Sequence, residues 1–172
     1  PRRGIMHKYH GRVLLIVSGG CAVNCRYCFR RHFPYNENQN SRQQWHEALD
    51  YIRADNSIEE VILSGGDPLV ATDEQLQQLI EQIAAIAHVQ RLRIHSRLPV
   101  VIPERVTDTL LDAITHTDLQ TIMVIHCNHA SEIDESVAVA LAALRHRDIT
   151  ILNQAVLLAG INDSLEAQLA LC

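Results

Sequence analysis

Lysine is almost absent. The 172 residues include a single lysine, Lys8, against 14 arginines, so chemistry that needs a lysine amine has one position to use. Basic residues are in overall deficit, 15 against 20 acidic, for a net charge of −5, which gives no general ground for nucleic-acid binding. No apolar run approaches the roughly 18 residues needed to span a bilayer, and a membrane partner is not expected. No apolar stretch follows Pro1-Arg2-Arg3-Gly4 to make a signal peptide. The 20% charged fraction contains no long block of one sign, which excludes a disordered acidic or basic tail. Low-complexity tracts and Pro/Gly/Ser-rich linkers are missing too, so residues 1–172 are expected to form one domain. The first residue is not Met, and Leu171-Cys172 carries no terminating chemistry; a piece truncated at both ends is expected.

What the chain does have is a core-forming composition, 47% apolar, in alternating patterns. The β-branched runs Arg12–Ser18, Glu60–Ser64, Arg91–His95, Thr121–Ile125 and Thr150–Gln154 read as buried strands. Helical periodicity lies between them. One helix is predicted from Asp73, with Leu76, Leu79, Ile80, Ile83 and Ile86 on one face. A second follows Pro103, with Val106, Leu110, Leu111 and Ile114, and a third follows Ser131, with Ile133, Val137, Ala140, Leu141 and Leu144. Strand–helix alternation predicts an α/β fold of parallel strands with right-handed crossovers, a partial (β/α) barrel. The unusual polar residues fall at or just past the predicted strand ends, where parallel α/β folds place their active sites. They are the cysteine loop, Ser64–Pro68, His95–Arg97, His126–His129 and Asn153–Gln154.

Three of the five cysteines, Cys21, Cys25 and Cys28, fall within eight residues. A disulfide scaffold spreads an even number of cysteines along a small chain, whereas this clustering points to a metal site in a reducing compartment, the cytoplasm. Three thiolates on one loop can hold three irons of a four-iron cluster and leave the fourth iron for a non-protein ligand. A structural zinc site needs a fourth protein ligand, for which His32 is the nearest candidate.

Cys-x-x-x-Cys-x-x-Cys after the first strand, with Tyr27 before the last cysteine, resembles the signature of the radical S-adenosylmethionine superfamily. Four further stretches are similar to the lysine 2,3-aminomutases: CRYCFRRHF from Cys25, SGGDPL from Ser64, RIHSRLPVVIP from Arg93 and LNQAVLL from Leu152. The similarity runs from about His7 to Asp163 and is greatest to the bacterial branch that supplies β-lysine for modifying translation elongation factor P. Members of that family are much longer, so the chain resembles their central, radical-generating core.

The resemblance implies an isomerase that moves the amino group of L-lysine between adjacent carbons. It implies a 4Fe-4S cluster on Cys21, Cys25 and Cys28, S-adenosylmethionine, pyridoxal phosphate, and an electron donor such as flavodoxin or ferredoxin. The cofactors carry the hard chemistry, and the protein positions them and excludes water. Ser64, Gly65, Gly66 and Asp67 match the turn that meets the methionine end, where missing Cβ atoms permit close approach. Arg30 matches the arginine that grips the substrate carboxylate through two parallel bonds; Arg31 has no assigned role. Ser96 and Arg97 are implied at the S-adenosylmethionine ribose or carboxylate, their structural alternative being strand-end capping. Asn128 and His129 are implied to line the cofactor pocket, with Cys127 as a small buried hydrophobe.

Lys8, Arg12 and Gln154 match positions near pyridoxal phosphate. Apart from the resemblance, Lys8 reads as solvent-exposed and Gln154 as a satisfied strand residue. The Schiff-base lysine of the family and the acidic residues that recognise the substrate's distal amine lie downstream of the matched region, and Lys8 does not match that lysine. The chain alone is therefore expected to bind the cluster without turning over lysine. The competing expectations are an aminomutase for glutamate or arginine, and a non-catalytic module stapled by zinc or an iron–sulfur cluster.

Overall fold

The computed structural model describes residues 4–28, 30, 32 and 42–171, with the side chains at 42–44 outside that description. Six strands form one sheet in sequence order. Strands β1 Ile5–Tyr9 and β2 Arg12–Ser18 make an antiparallel hairpin. Strands β3 Glu60–Gly65, β4 Arg91–Ser96, β5 Gln120–Ile125 and β6 Thr150–Asn153 then add in parallel. Parallel neighbours need crossovers, and each contains a helix. Helix α1 Arg42–Ala54 precedes β3, and α2 Asp73–Ala84 precedes β4. The turn α3 Leu98–Val101 and helix α4 Asp108–Thr115 precede β5, α5 Glu135–His146 precedes β6, and α6 Leu165–Leu171 follows it. The architecture is the partial (β/α) barrel expected, with β1 and β6 as its edges.

Alternation along the strands divides the sheet into two faces. Val13, Leu15, Val61, Leu63, Leu92 and Ile94 point to the helical layer, where Leu76, Leu79, Ile80 and Ile83 of α2 and Leu110 and Ile114 of α4 close the core. Helix starts are fixed by side-chain caps. Thr72 accepts from the Gln75 N–H in a reciprocal capping box, Thr107 accepts from the Leu110 N–H, and Asp134 accepts from the Val137 N–H. Among the described residues no helix is long and apolar enough to cross a membrane.

Four elements were not anticipated. Strand β1 buries only Ile5 and shows no alternation, α1 buries Ala48, Leu49 and Ile52 among its described side chains, α3 is a single four-residue turn, and α6 buries no residue. The helices predicted after Pro103 and Ser131 begin later, at Asp108 and Glu135, because one turn of 3-10 helix, Pro103–Arg105 and Ala130–Glu132, comes first. Ile133 is consequently exposed, while Val137, Ala140 and Leu144 are buried as predicted. The last strand stops at Asn153, which places Gln154 just beyond it.

The inner face of the sheet carries Leu14, Ile62 and His95 towards the strand C-termini, where they line a cavity. At the opposite end it carries a buried charge cluster. Glu60 accepts from Nε and Nη2 of Arg93 at 2.9 and 2.6 Å, and Arg12 lies 3.6 Å from its other oxygen. A nearly inaccessible carboxylate is tolerable only when charge-paired and hydrogen-bonded in this way.

Candidate functional site

The cysteine loop begins where β2 ends and is seated on the loop after β3. The Gly66 N–H donates to the Ser18 carbonyl and the Asp67 N–H to the Gly20 carbonyl, each at 2.8 Å. The glycines are required by this docking. Gly65 has φ of +130°, and a Cβ there would lie 2.4 Å from the Ser18 carbonyl oxygen; at Gly66 it would lie 2.0 Å from that of Gly20. The missing Cβ atoms thus admit the protein's own backbone.

Asp67 is the knot of this turn. One carboxylate oxygen accepts from the Leu69 N–H at 3.0 Å and the Ser96 hydroxyl at 2.7 Å, and the other accepts from the Arg97 N–H at 2.8 Å. Burial pushes its pKa up, opposed by these three bonds and by the charge of His126. Ser96 is itself buried, is absent from the cavity wall, and caps Leu98. The structure therefore corrects its expected cofactor contact in favour of the capping alternative.

A cavity of about 250 Å³ opens at the strand C-termini. Cys21, Cys25 and Cys28 line it together with Ser64, Gly65, Gly66, Asp67, Arg30, Arg97, Asn128 and Gln154. Arg30 reaches it by donating from Nη1 to the Ser64 hydroxyl at 2.8 Å and the Gly65 carbonyl at 3.0 Å. Arg31 lies outside the described residues. His95 and His126 also line the cavity, 6.3 Å apart and nearly perpendicular, each burying an Nε2 without a hydrogen-bond partner. Burial, helped by His126, Arg93 and Arg30, pushes the His95 pKa down to about 4. Burial lowers His126 as well, against the charge of Asp67. Burial thus favours the neutral form of both imidazoles, and each presents an unpartnered Nε2.

Three expected site residues lie elsewhere. The His129 ring accepts from the Ser131 N–H at 3.1 Å and meets its hydroxyl, starting the 3-10 turn instead of facing the cavity. Lys8 lies on β1 with its ammonium 5.4 Å from the Tyr9 ring centre. Arg12 is engaged with Glu60 at the far end of β2. His129 and Arg12 have partners inside the chain, and Lys8 is exposed beside Tyr9. Cys127 is buried, as expected.

Other contributors were not read as site residues. His95 and His126 fell in the strand-end segments expected at the site but were given no individual role. Asn153 holds the ends of β5 and β6 together, accepting from the Cys127 N–H and donating to its carbonyl, both at 3.0 Å. Glu132 accepts from the Asn128 and His129 N–H groups at 2.8 and 3.1 Å and from Arg97 at 2.9 Å. The hydroxyl of Tyr27 receives the Asn128 side chain at 2.6 Å and that of Arg97.

The donor set suits an iron–sulfur cluster. Three thiols share one loop and one cavity, though among the described residues no three His, Cys, Asp or Glu side chains, these thiols included, are already drawn together at metal-ligating geometry. Burial, with Asp67 and the two neighbouring thiols, raises the Cys21 pKa to about 11, opposed by Arg30; a metal must displace this proton to bind. Pyridoxal phosphate does not fit the same test, since the one lysine lies outside the cavity.

A family profile described as the Radical SAM superfamily matches residues 15–167. The chain is 54% identical over 163 residues to the L-lysine 2,3-aminomutase of Escherichia coli K12, covering 95% of this chain and 48% of that protein. It is 56% identical over 162 residues to the L-lysine 2,3-aminomutase of Haemophilus influenzae, covering 94% and 48%. The Clostridium subterminale protein of the same name is 38% identical over 167 residues, covering 95% and 39%. The chain thus spans about half the length or less of these relatives. A solved structure described as native anSMEcpe with bound AdoMet and Cp18Cys peptide superposes with a TM-score of 0.59 at 13% identity, covering 83% of this chain and 42% of that one; it shares the fold.

Proposed function

This chain belongs to the radical S-adenosylmethionine superfamily, and from that premise we propose that it is the radical-generating core of a lysine 2,3-aminomutase, converting L-lysine to β-lysine. The observation that carries the reading is the convergence of three thiols, the Ser64–Asp67 turn and Arg30 on one cavity. The names of the relatives support lysine as substrate. When bound, the cluster supplies the electron that cleaves the sulfonium of S-adenosylmethionine.

The chain's own residues hold and orient. Cys21, Cys25 and Cys28 would each give a thiolate to the cluster, which would keep an iron without a protein ligand for a small-molecule one. The Ser64–Asp67 turn forms the adjoining wall, braced by Ser96 and the Arg97 N–H through Asp67. Arg30 presents a guanidinium suited to a carboxylate, its placement fixed by Ser64 and Gly65. His95 and His126 offer buried ring nitrogens without a hydrogen-bond partner to a polar ligand. Tyr27 and Asn128 close the far side.

The finer reading includes pyridoxal phosphate carried on a lysine from outside these residues, a flavodoxin or ferredoxin as electron donor, a cytoplasmic setting that keeps the thiols reduced, and β-lysine destined for elongation factor P.

Anaerobic reconstitution tests the reading. The chain should take up about four irons and, with dithionite, should release 5′-deoxyadenosine from S-adenosylmethionine but form no β-lysine. Cys21→Ala, Cys25→Ala or Cys28→Ala should abolish the release while circular dichroism stays unchanged. Uptake of zinc in place of iron, or β-lysine made by this chain alone, would contradict the account.

A further inference from the structure

One side chain pins the cysteine loop from across the cavity. Arg97, just beyond β4, donates from Nη1 to Cys25 Sγ at 3.0 Å and to the Tyr27 hydroxyl, with its guanidinium carbon 5.3 Å from the Tyr27 ring centre. Its Nη2 donates to Glu132 at 2.9 Å. The other oxygen of Glu132 is held by the N–H groups of Asn128 and His129, at 2.8 and 3.1 Å. A single carboxylate thereby joins the loops after β4 and β5 and, through Arg97, sets the approach of a cation to Cys25. A free arginine samples many rotamers, so a fixed contact to sulfur needs its guanidinium anchored at the other end.

We propose that Glu132 is a positioning residue that fixes Arg97 against Cys25 and thereby sets the reduction potential of the cluster; this rests on the cluster reading given above. Reduction adds one electron from an external low-potential donor, breaks no bond and makes the cluster more negative. A guanidinium donating to a ligating sulfur favours that reduced form, since hydrogen bonds to sulfur and local charge tune such potentials. Losing the contact lowers the potential. Glu132 as a bystander charge would have the opposite effect: removing a nearby negative charge favours the reduced form and raises the potential. The two roles differ in sign.

The test is a redox titration of the full chain, reconstituted anaerobically and followed by paramagnetic resonance, with iron content measured alongside. Glu132→Gln should keep its iron, change the line shape and show at least a ten-fold smaller equilibrium constant for reduction, equivalent to about 59 mV for one electron. Glu132→Asp, with the charge retained and the reach shortened, should shift in the same direction. Arg97→Gln should also lower the potential, and adding Glu132→Gln to it should change nothing further. An iron-replete Glu132→Gln chain with an unchanged or raised potential overturns the inference, as does additivity of the two substitutions. A wild-type chain that assembles no cluster overturns the cluster reading, and this inference with it.

Discussion

Gly66 is where the site tolerates least. Its missing Cβ leaves room for the Gly20 carbonyl, and the conflict in any other residue is backbone against backbone, 2.0 Å apart. Gly66→Ala should therefore cost at least about 2 kcal/mol, the middle of the range for overpacking, in urea unfolding of the apo chain. It should also displace the cysteine loop, visible as reduced iron uptake. A variant of unchanged stability would show that the turn can open at no cost. The same turn shows what sequence reading can and cannot resolve. Thiol spacing is local, and Cys21, Cys25 and Cys28 were legible because eight residues contain all of them. Asp67 beside two glycines looks like a ligand, yet its bonds go to Leu69, Ser96 and Arg97. The partners of Ser96, Arg97, Glu132 and His129 depend on how loops converge, which no local pattern encodes.

The parallel strands bring their C-terminal ends to one rim, where β4 and the residue just past β5 each deliver a half-buried histidine. His95 has its pKa lowered to about 4 by burial, then by His126, Arg93 and Arg30. An unfolded histidine titrates near 6.5, so between these values the unfolded chain binds more protons than the folded one. Stability is then fully present above about pH 6.5 and falls as pH drops towards 4. His126, also lowered, adds to the same slope. Replacing His95 by Asn should flatten the pH dependence by on the order of 2 kcal/mol across that window, measured by chemical unfolding at several pH values. An unchanged slope would mean the imidazole is solvated. The strands that form this rim were legible because they are continuous β-branched runs. The edge strand β1, with one buried residue, and α1, with a thin apolar face, lacked the periodicity that marks the others.

Taken as a whole, the described residues form an open half-barrel whose outer face is a closed hydrophobic core and whose inner face mixes apolar strand residues with charged and polar groups. Glu60 between Arg12 and Arg93 occupies the bottom, and the thiol-lined cavity the top. Five parallel strands and the helices that follow β3, β4 and β5 were anticipated because each βα unit repeats the same pattern, and the placement of polar residues past the strand ends located the cavity. Charge pairing on the inner face was not anticipated: Glu60 and Arg93 were given no role, and Arg12 was expected near pyridoxal phosphate. The central claim is that an open iron in this cavity meets S-adenosylmethionine. Low-temperature paramagnetic resonance on the reduced, anaerobically reconstituted chain, with and without S-adenosylmethionine, tests it most directly. A cluster signal that shifts when the cofactor is added is the predicted result; a cluster signal indifferent to it, or a silent sample containing zinc, would contradict the account.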